Sequence, residues 1–241
     1  MQAGTLGGSA VHSQRFDSCQ SFNPHFTSPT SMPQQNEDLH GNVPDKAGAA
    51  LLLIDVLNDL EFEGGDRLLE PALSMARALS RLKRRAREAG LPVVYVNDNF
   101  GKWRSDFRQQ LDHCLHDDVR GRPVVELLVP DEDDYFVLKP KNSGFYHTTL
   151  PLLLEYLEVH TVILTGIATE NCVLYTANDA YMRDLRIIVP EDCAASSDPH
   201  HHEAALEQMR VTLKADTTPS PDLDLGALAG VPRDGVEQSV G

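Results

Sequence analysis

Cys172 closes the segment Thr165-Gly166-Ile167-Ala168-Thr169-Glu170-Asn171-Cys172, which follows the apolar run Thr161 to Leu164 and precedes Val173, Ala177 and Ala180 at helical spacing. A glycine at the strand exit and Thr169 as an N-cap place this thiol in the first turn of a helix. There the unpaired backbone N–H groups and the positive dipole end favour thiolate over thiol, and the same N–H groups suit an oxyanion. A thiol nucleophile also needs a group to manage its proton. Asp55, leaving the apolar run Ala49 to Ile54, is the best-placed carboxylate. Burial raises the pKa of such a group and a neighbouring cation lowers it. Lys139 supplies that cation at the end of Tyr135 to Leu138, held extended by Pro140.

These residues depend on the elements that carry them. The apolar runs Ala49 to Ile54, Pro92 to Val96, Tyr135 to Leu138, Thr161 to Leu164 and Arg186 to Val189 alternate with helical patterns. One helical set is Leu73, Ala76, Leu79, Leu82, Ala86 and Ala89; another is Leu150, Leu153, Leu154 and Leu157; a final helix runs from about His201 to Leu213. Such alternation predicts βαβ units and a parallel sheet, whose ligands sit beyond the carboxyl ends of the strands. Asp55, Asn97 and Asp98, Lys139, Thr165 to Cys172, and Glu191 to Ser197 all fall on that edge.

The chain has 241 residues, enough for one sizeable core with segments to spare. Residues 1–46 are rich in Ser, Gln, Asn, His, Gly and Pro, and residues 219–241 are broken by Pro and Gly, so both read as disordered tails around a body at 47–218. A net charge of −15 with no basic face argues against nucleic acid and anionic lipid as partners. No apolar run approaches the roughly 20 residues of a membrane span, and the N-terminus lacks a secretory pattern, so a cytoplasmic protein is expected. Cys19, Cys114, Cys172 and Cys193 show no C-x-x-C spacing, and no disulfide framework is expected.

Four motifs in order are similar to one known family. They are Asp55-x-x-Asn58-Asp59; Lys139-x-Lys141-x-Ser143-x-Phe145 with Thr149-Leu150; Gly166-x-Ala168-Thr169-x-x-Cys172-Val173 with Thr176-Ala177 and Ala180; and Asp192 with Ala194. Together they resemble the isochorismatase-like cysteine hydrolases, which include nicotinamidases and N-carbamoylsarcosine amidases, over roughly residues 48–215. The resemblance implies an α/β fold, doubly wound and Rossmann-like, a three-layer α/β/α arrangement with about six parallel strands. It implies an Asp-Lys-Cys triad of Asp55, Lys139 and Cys172, a cis peptide between Ile167 and Ala168, and an oxyanion hole from the N–H groups of Ala168 and Cys172. The implied reaction cleaves the C–N bond of a small non-peptide amide or carbamoyl compound through a thioester, with no cofactor. Relatives assemble into homo-oligomers, so the same is expected here.

Nicotinamidases of the family hold a divalent metal with an Asp-x-His pair after the second strand. The matching stretch here reads Asp98-Asn99-Phe100, so no catalytic metal is expected and nicotinamide is a poor substrate guess. His113 and His116 near Asp117 and Asp118 read as a solvated face before a metal site, and His200 to His202 as a helix start. Asn58 is a candidate to hydrogen-bond the Asp55 carboxylate or the substrate, with a purely structural place equally open. Phe100 and Trp103, with Phe62, Phe107 and Tyr135, line a pocket or simply pack. Cys193, also at a strand end, reads as structural. Two other functions stay open at this point: a catalytically silent metabolite- or partner-binding member of the fold, and vinyl-ether cleavage of the isochorismatase type.

Overall fold

The computed structural model describes residues 46–99 and 106–230. Its centre is a six-stranded parallel sheet. Strand β1 (Ala49–Ile54) pairs with β2 (Val93–Asp98) on one side and β4 (Thr161–Ile167) on the other; β3 (Tyr135–Lys139) edges β2, and β5 (Arg186–Ile188) edges β4. The short β6 (Ala194–Ala195) adds to the end of β4, with Gly166 opposite Ala194 and Ile167 opposite Ala195. All residues of β1 and β4 are buried, which is why they read as unbroken apolar runs and not as alternation.

The pleat sends alternate residues of β1 to opposite layers. Leu51 and Leu53 pack with α1 (Gly65–Glu88), α2 (Phe107–His116) and α3 (Arg122–Leu127). Ala50, Leu52 and Ile54 pack with α4 (Leu150–Tyr156), α5 (Leu174–Tyr181) and α6 (Pro199–Thr212). Each fully buried leucine of this kind contributes roughly 1.5–3 kcal/mol of transfer free energy. The result is the doubly wound three-layer α/β/α fold that the motifs implied. In α1 the expected face is right: Ala76, Leu79, Leu82 and Ala86 are buried. Among the described residues no helix is long and apolar enough to cross a membrane.

The chain does not lose structure at 219. A 3-10 turn at Ser220–Asp222 leads into α7 (Leu225–Ala229), and Leu223, Leu225 and Leu228 join the α1 layer of the core. Polar ties fix this extension. Arg85 donates to the carbonyls of Ser220 (2.7 Å) and Leu223 (2.6 Å), and the Asp192 carboxylate accepts from the N–H and hydroxyl of Ser220, both at 2.7 Å. Proline and glycine density marks short elements here, and long-range bonds supply what local propensity lacks.

Candidate active site

The carboxyl edge of the sheet collects Asp55 after β1, Asp98 at the end of β2, Lys139 at the end of β3 and the 166–172 segment after β4. Because β3 is the outer neighbour of β2, the Lys139 side chain must reach inward past β2 to meet Asp55. It does so fully buried: Nζ lies 2.8 Å from Asp55 Oδ2, 3.5 Å from Asp98 Oδ2 and 3.5 Å from Cys172 Sγ. Asp55 takes φ 52°, turning the chain sharply at the strand exit, and its Oδ1 accepts the Asp98 N–H at 2.6 Å. Second to burial, the same carboxylate acts on the Cys172 thiol, raising its pKa.

Glycine is required at the exit of β4. Gly166 has φ 112°, and a Cβ there would fall 2.0 Å from the carbonyl oxygen of Ile54. The Ile167–Ala168 peptide that follows is cis. Residues Thr169–Val173 then form a π-helical turn before α5, with the Ala168 carbonyl accepting from the N–H groups of Asn171 (3.0 Å) and Val173 (3.3 Å). Cys172 therefore does stand at a helix start, but Thr169 is no N-cap. It lies inside the turn, fully buried, with its hydroxyl 2.8 Å from His202 Nδ1.

The electrostatics correct one further expectation. Burial, and next the Asp55 charge, push the Cys172 thiol up to about 12, and the ammonium of Lys139 only partly opposes this. Desolvation and a carboxylate neighbour outweigh the helix-start dipole, so the resting group is a thiol facing an acceptor. Burial also raises the pKa of Asp55, against the pull of Lys139, the thiol and the Asp98 N–H. For Lys139, burial favours the neutral form, yet the neighbouring carboxylates, Asp55 first and then Asp98, prevail and its pKa is raised.

A single hydroxyl ties the loop after Lys139 to the turn that carries Cys172. Thr176, fully buried on α5, donates to the Cys172 carbonyl at 2.7 Å and accepts the Gly144 N–H at 3.0 Å. Ser143 hydrogen-bonds Asp179 on the same helix, and the Arg183 guanidinium lies 4.7 Å from the centre of the Phe145 ring.

Other expected site residues fare differently. The Asn58 side chain accepts the Leu60 N–H at 2.9 Å, closing its own loop, and makes no bond to Asp55 among the described residues. Phe100 and Trp103 lie outside the described residues. Phe107 stacks on Phe136 at 3.6 Å between centroids and edges Tyr95 at 6.1 Å, so it packs the α2 side; Phe62 is exposed, and Tyr135 packs against the α4 layer. His113 lies between Asp117 (2.6 Å) and Asp59 (3.2 Å), while His116 meets the Asp112 carbonyl. His200 opens α6, its N–H accepted by the Asp198 side chain. Cys114 and Cys193 are buried, each pushed up to about 12 chiefly by burial, whereas Cys172 is half-buried.

The metal pattern of nicotinamidases does not fit this donor set. Asp98, the carboxylate of that pattern, sits against the Lys139 ammonium, and the histidine position holds Phe100, which has no donor atom. Asp98, Thr176 and His202 were not singled out from sequence as site residues. Asp98 carried a signal in its place at a strand exit and Thr176 in its place within the third motif, whereas His202 read only as part of a helix start.

The family model of the isochorismatase domain matches residues 49–219. The chain is 40% identical over 173 residues to the uncharacterized isochorismatase family protein YaaI of Bacillus subtilis, covering 72% of this chain and 94% of that one. It is 29% identical over 171 residues to a probable inactive nicotinamidase of Arabidopsis thaliana, covering 67% and 87%. Among solved structures it is similar to N-carbamoylsarcosine amidase from Thermoplasma acidophilum, with a TM-score of 0.57, 28% identity, and coverage of 73% and 98%. With these motifs, this fold and a family match across most of its length, the chain belongs to the isochorismatase family.

Proposed function

We propose that the protein is a cysteine hydrolase that cleaves the C–N bond of a small non-peptide amide or carbamoyl compound. The observation that carries this reading is the buried Lys139 ammonium touching both the Asp55 carboxylate and the Cys172 sulfur. The amidase among its structural relatives supports the same class of reaction.

In this scheme Asp55 takes the thiol proton as Sγ attacks the carbonyl carbon, and the N–H groups of Ala168 and Cys172 receive the oxyanion. Protonated Asp55 then gives its proton to the departing ammonia or amine, leaving a thioester on Cys172. Water attacks the thioester while Asp55 takes one of its protons. The acid leaves and the proton returns to sulfur. Lys139 stays charged throughout and keeps Asp55 competent as a base despite burial, since an opposite charge at this distance favours the carboxylate. A thiol held near 12 suits this order of events: it gives up its proton as an electrophilic carbon arrives to take the electrons. The chemistry fits a reducing compartment such as the cytoplasm.

The test is ammonia release from a panel of N-carbamoyl amino acids, ureido acids and primary amides, paired with intact-mass detection of an acyl adduct. Turnover that vanishes in Cys172→Ala supports the reading; turnover that survives it sinks the thioester route, and no turnover on any amide favours a silent fold member. Chelator treatment is expected to leave the rate unchanged, because Phe100 offers no ligand where the metal-binding relatives have histidine.

A further inference from the structure

The nucleophile turn is held from a helix that the scheme above does not use. Thr169 and Glu170 are the first two residues of the π-helical turn that carries Cys172. The Thr169 hydroxyl meets His202 Nδ1 at 2.8 Å, and Glu170 Oε1 accepts the Ser196 hydroxyl at 2.8 Å. Both partners are themselves fixed. Ser196 Oγ also accepts the Asp198 N–H at 3.1 Å, and the His202 N–H bonds the Asp198 carbonyl at 3.0 Å in α6, whose Ala205, Leu206 and Met209 are buried.

We infer that His202 and Ser196 form a two-point clasp that positions the Cys172 turn, with His202 as a positioning residue for the hydrolysis proposed above. A π-helical turn has no repeating ladder of its own to fix its pitch, so side-chain ties at its entrance decide where its fourth residue points. Thr169 follows the residue whose N–H is proposed to hold the oxyanion, and the Ala168 carbonyl folds back onto Asn171 and Val173. Rotation at Thr169 therefore displaces the sulfur and the oxyanion donor together. Burial lowers the pKa of His202, opposed by Glu203, Glu170 and Glu191, and a neutral ring can accept the threonine hydroxyl. His202 and Ser196 border a cavity of about 240 Å³, so shortening the imidazole enlarges an existing space and leaves the packed core of α6 intact.

The experiment labels the full-length protein with iodoacetamide at neutral pH and follows Cys172, Cys114 and Cys193 separately by peptide mass spectrometry. His202→Ala is expected to slow Cys172 labelling about tenfold, the scale of a misplaced reacting group, with Cys114 and Cys193 still protected. His202→Asn, which keeps a polar atom near the Nδ1 position, restores the rate to within about twofold, and adding Thr169→Val to His202→Ala costs nothing further. Labelling of Cys172 at the wild-type rate in His202→Ala overturns the clasp, as does faster labelling of all three cysteines, which marks general loosening. An Asp55→Asn arm tests the underlying reading independently, by ammonia release instead of labelling: if it turns over amides as fast as wild type, the base assigned to Cys172 is wrong and the clasp has no reaction to serve.

Discussion

Lys139 and Asp55 form a buried ion pair at 2.8 Å that joins the outermost strand of one sheet edge to the central strand. The pair has no room for exchange with solvent, since Lys139 is 0% exposed and Asp55 only 5%. Breaking such a pair by removing one partner leaves an uncompensated buried charge, which costs about 3–5 kcal/mol.

Lys139→Met is accordingly expected to lower stability by roughly that amount, read as a drop in the urea midpoint without a change in slope, and to lower turnover at least about 100-fold. Asp55, already raised by burial, loses its cation and holds its proton more tightly. The double variant Lys139→Met with Asp55→Leu should recover much of the stability and none of the activity. Recovery of turnover in the double variant would contradict the role given to Asp55.

Three thiols give the fold an alkaline weakness. Cys114, Cys172 and Cys193 are each raised from 9.0 to about 12 in the folded chain, chiefly by burial. A raised pKa means that the folded state keeps the proton after the unfolded state has lost it. Stability from this source is complete below pH 9.0 and is lost as pH rises towards about 12. Denaturant midpoints measured at neutral pH and at about pH 10 should fall with pH, and Cys114→Ala with Cys193→Ala should flatten the decline. A midpoint that holds steady across that range contradicts the burial assigned to these sulfurs.

Thr176→Val keeps the shape of the side chain and removes the hydroxyl that serves both Gly144 and Cys172. A buried N–H and C=O lose a partner, at about 1–3 kcal/mol each when left unsatisfied. Thr176→Ser retains the hydroxyl and should behave like wild type in a thermal melt, with valine several degrees lower.

Truncation after Thr218 removes Leu223, Leu225 and Leu228 from the α1 layer and strips Asp192 and Arg85 of their partners. Loss of buried leucines at about 2–5 kcal/mol apiece predicts a severely weakened domain. Cys193, which neighbours Asp192, should become accessible to thiol reagents. A truncated chain that melts with wild-type cooperativity would return the extension to the status of a tail.

That extension shows where sequence reasoning ran short. The strands of the sheet centre were legible because burial on both faces writes itself as unbroken apolar runs; Asp55 and Lys139 stand directly after such runs, and Cys172 was legible from the motif that follows one. Pro219, Pro221, Gly226 and Gly230 hid two short helical pieces, since bonds from Arg85 and Asp192, more than 100 and nearly 30 positions upstream, leave no local pattern. The state of Cys172 was misjudged for a related reason. Position at a helix start can be read from a motif, whereas desolvation by surrounding layers belongs to the assembled core. Asn58 followed the commonest habit of its type and capped its own turn.

In the proposed hydrolysis, Lys139 makes chemistry depend on the sheet's rim. Local openings cost less free energy than global unfolding, and β3, which among the described residues pairs on one side only, is the strand of this edge with fewest bonds to break. When β3 lifts from β2, the ammonium leaves Asp55 and the thiol, while β1 and β4 keep their pairing and most of the core stays shut. Such an open form keeps its global shape and cannot turn over. Catalytic output therefore gauges the seating of one peripheral strand, and should fade in mild denaturant before any probe of the whole domain registers a change.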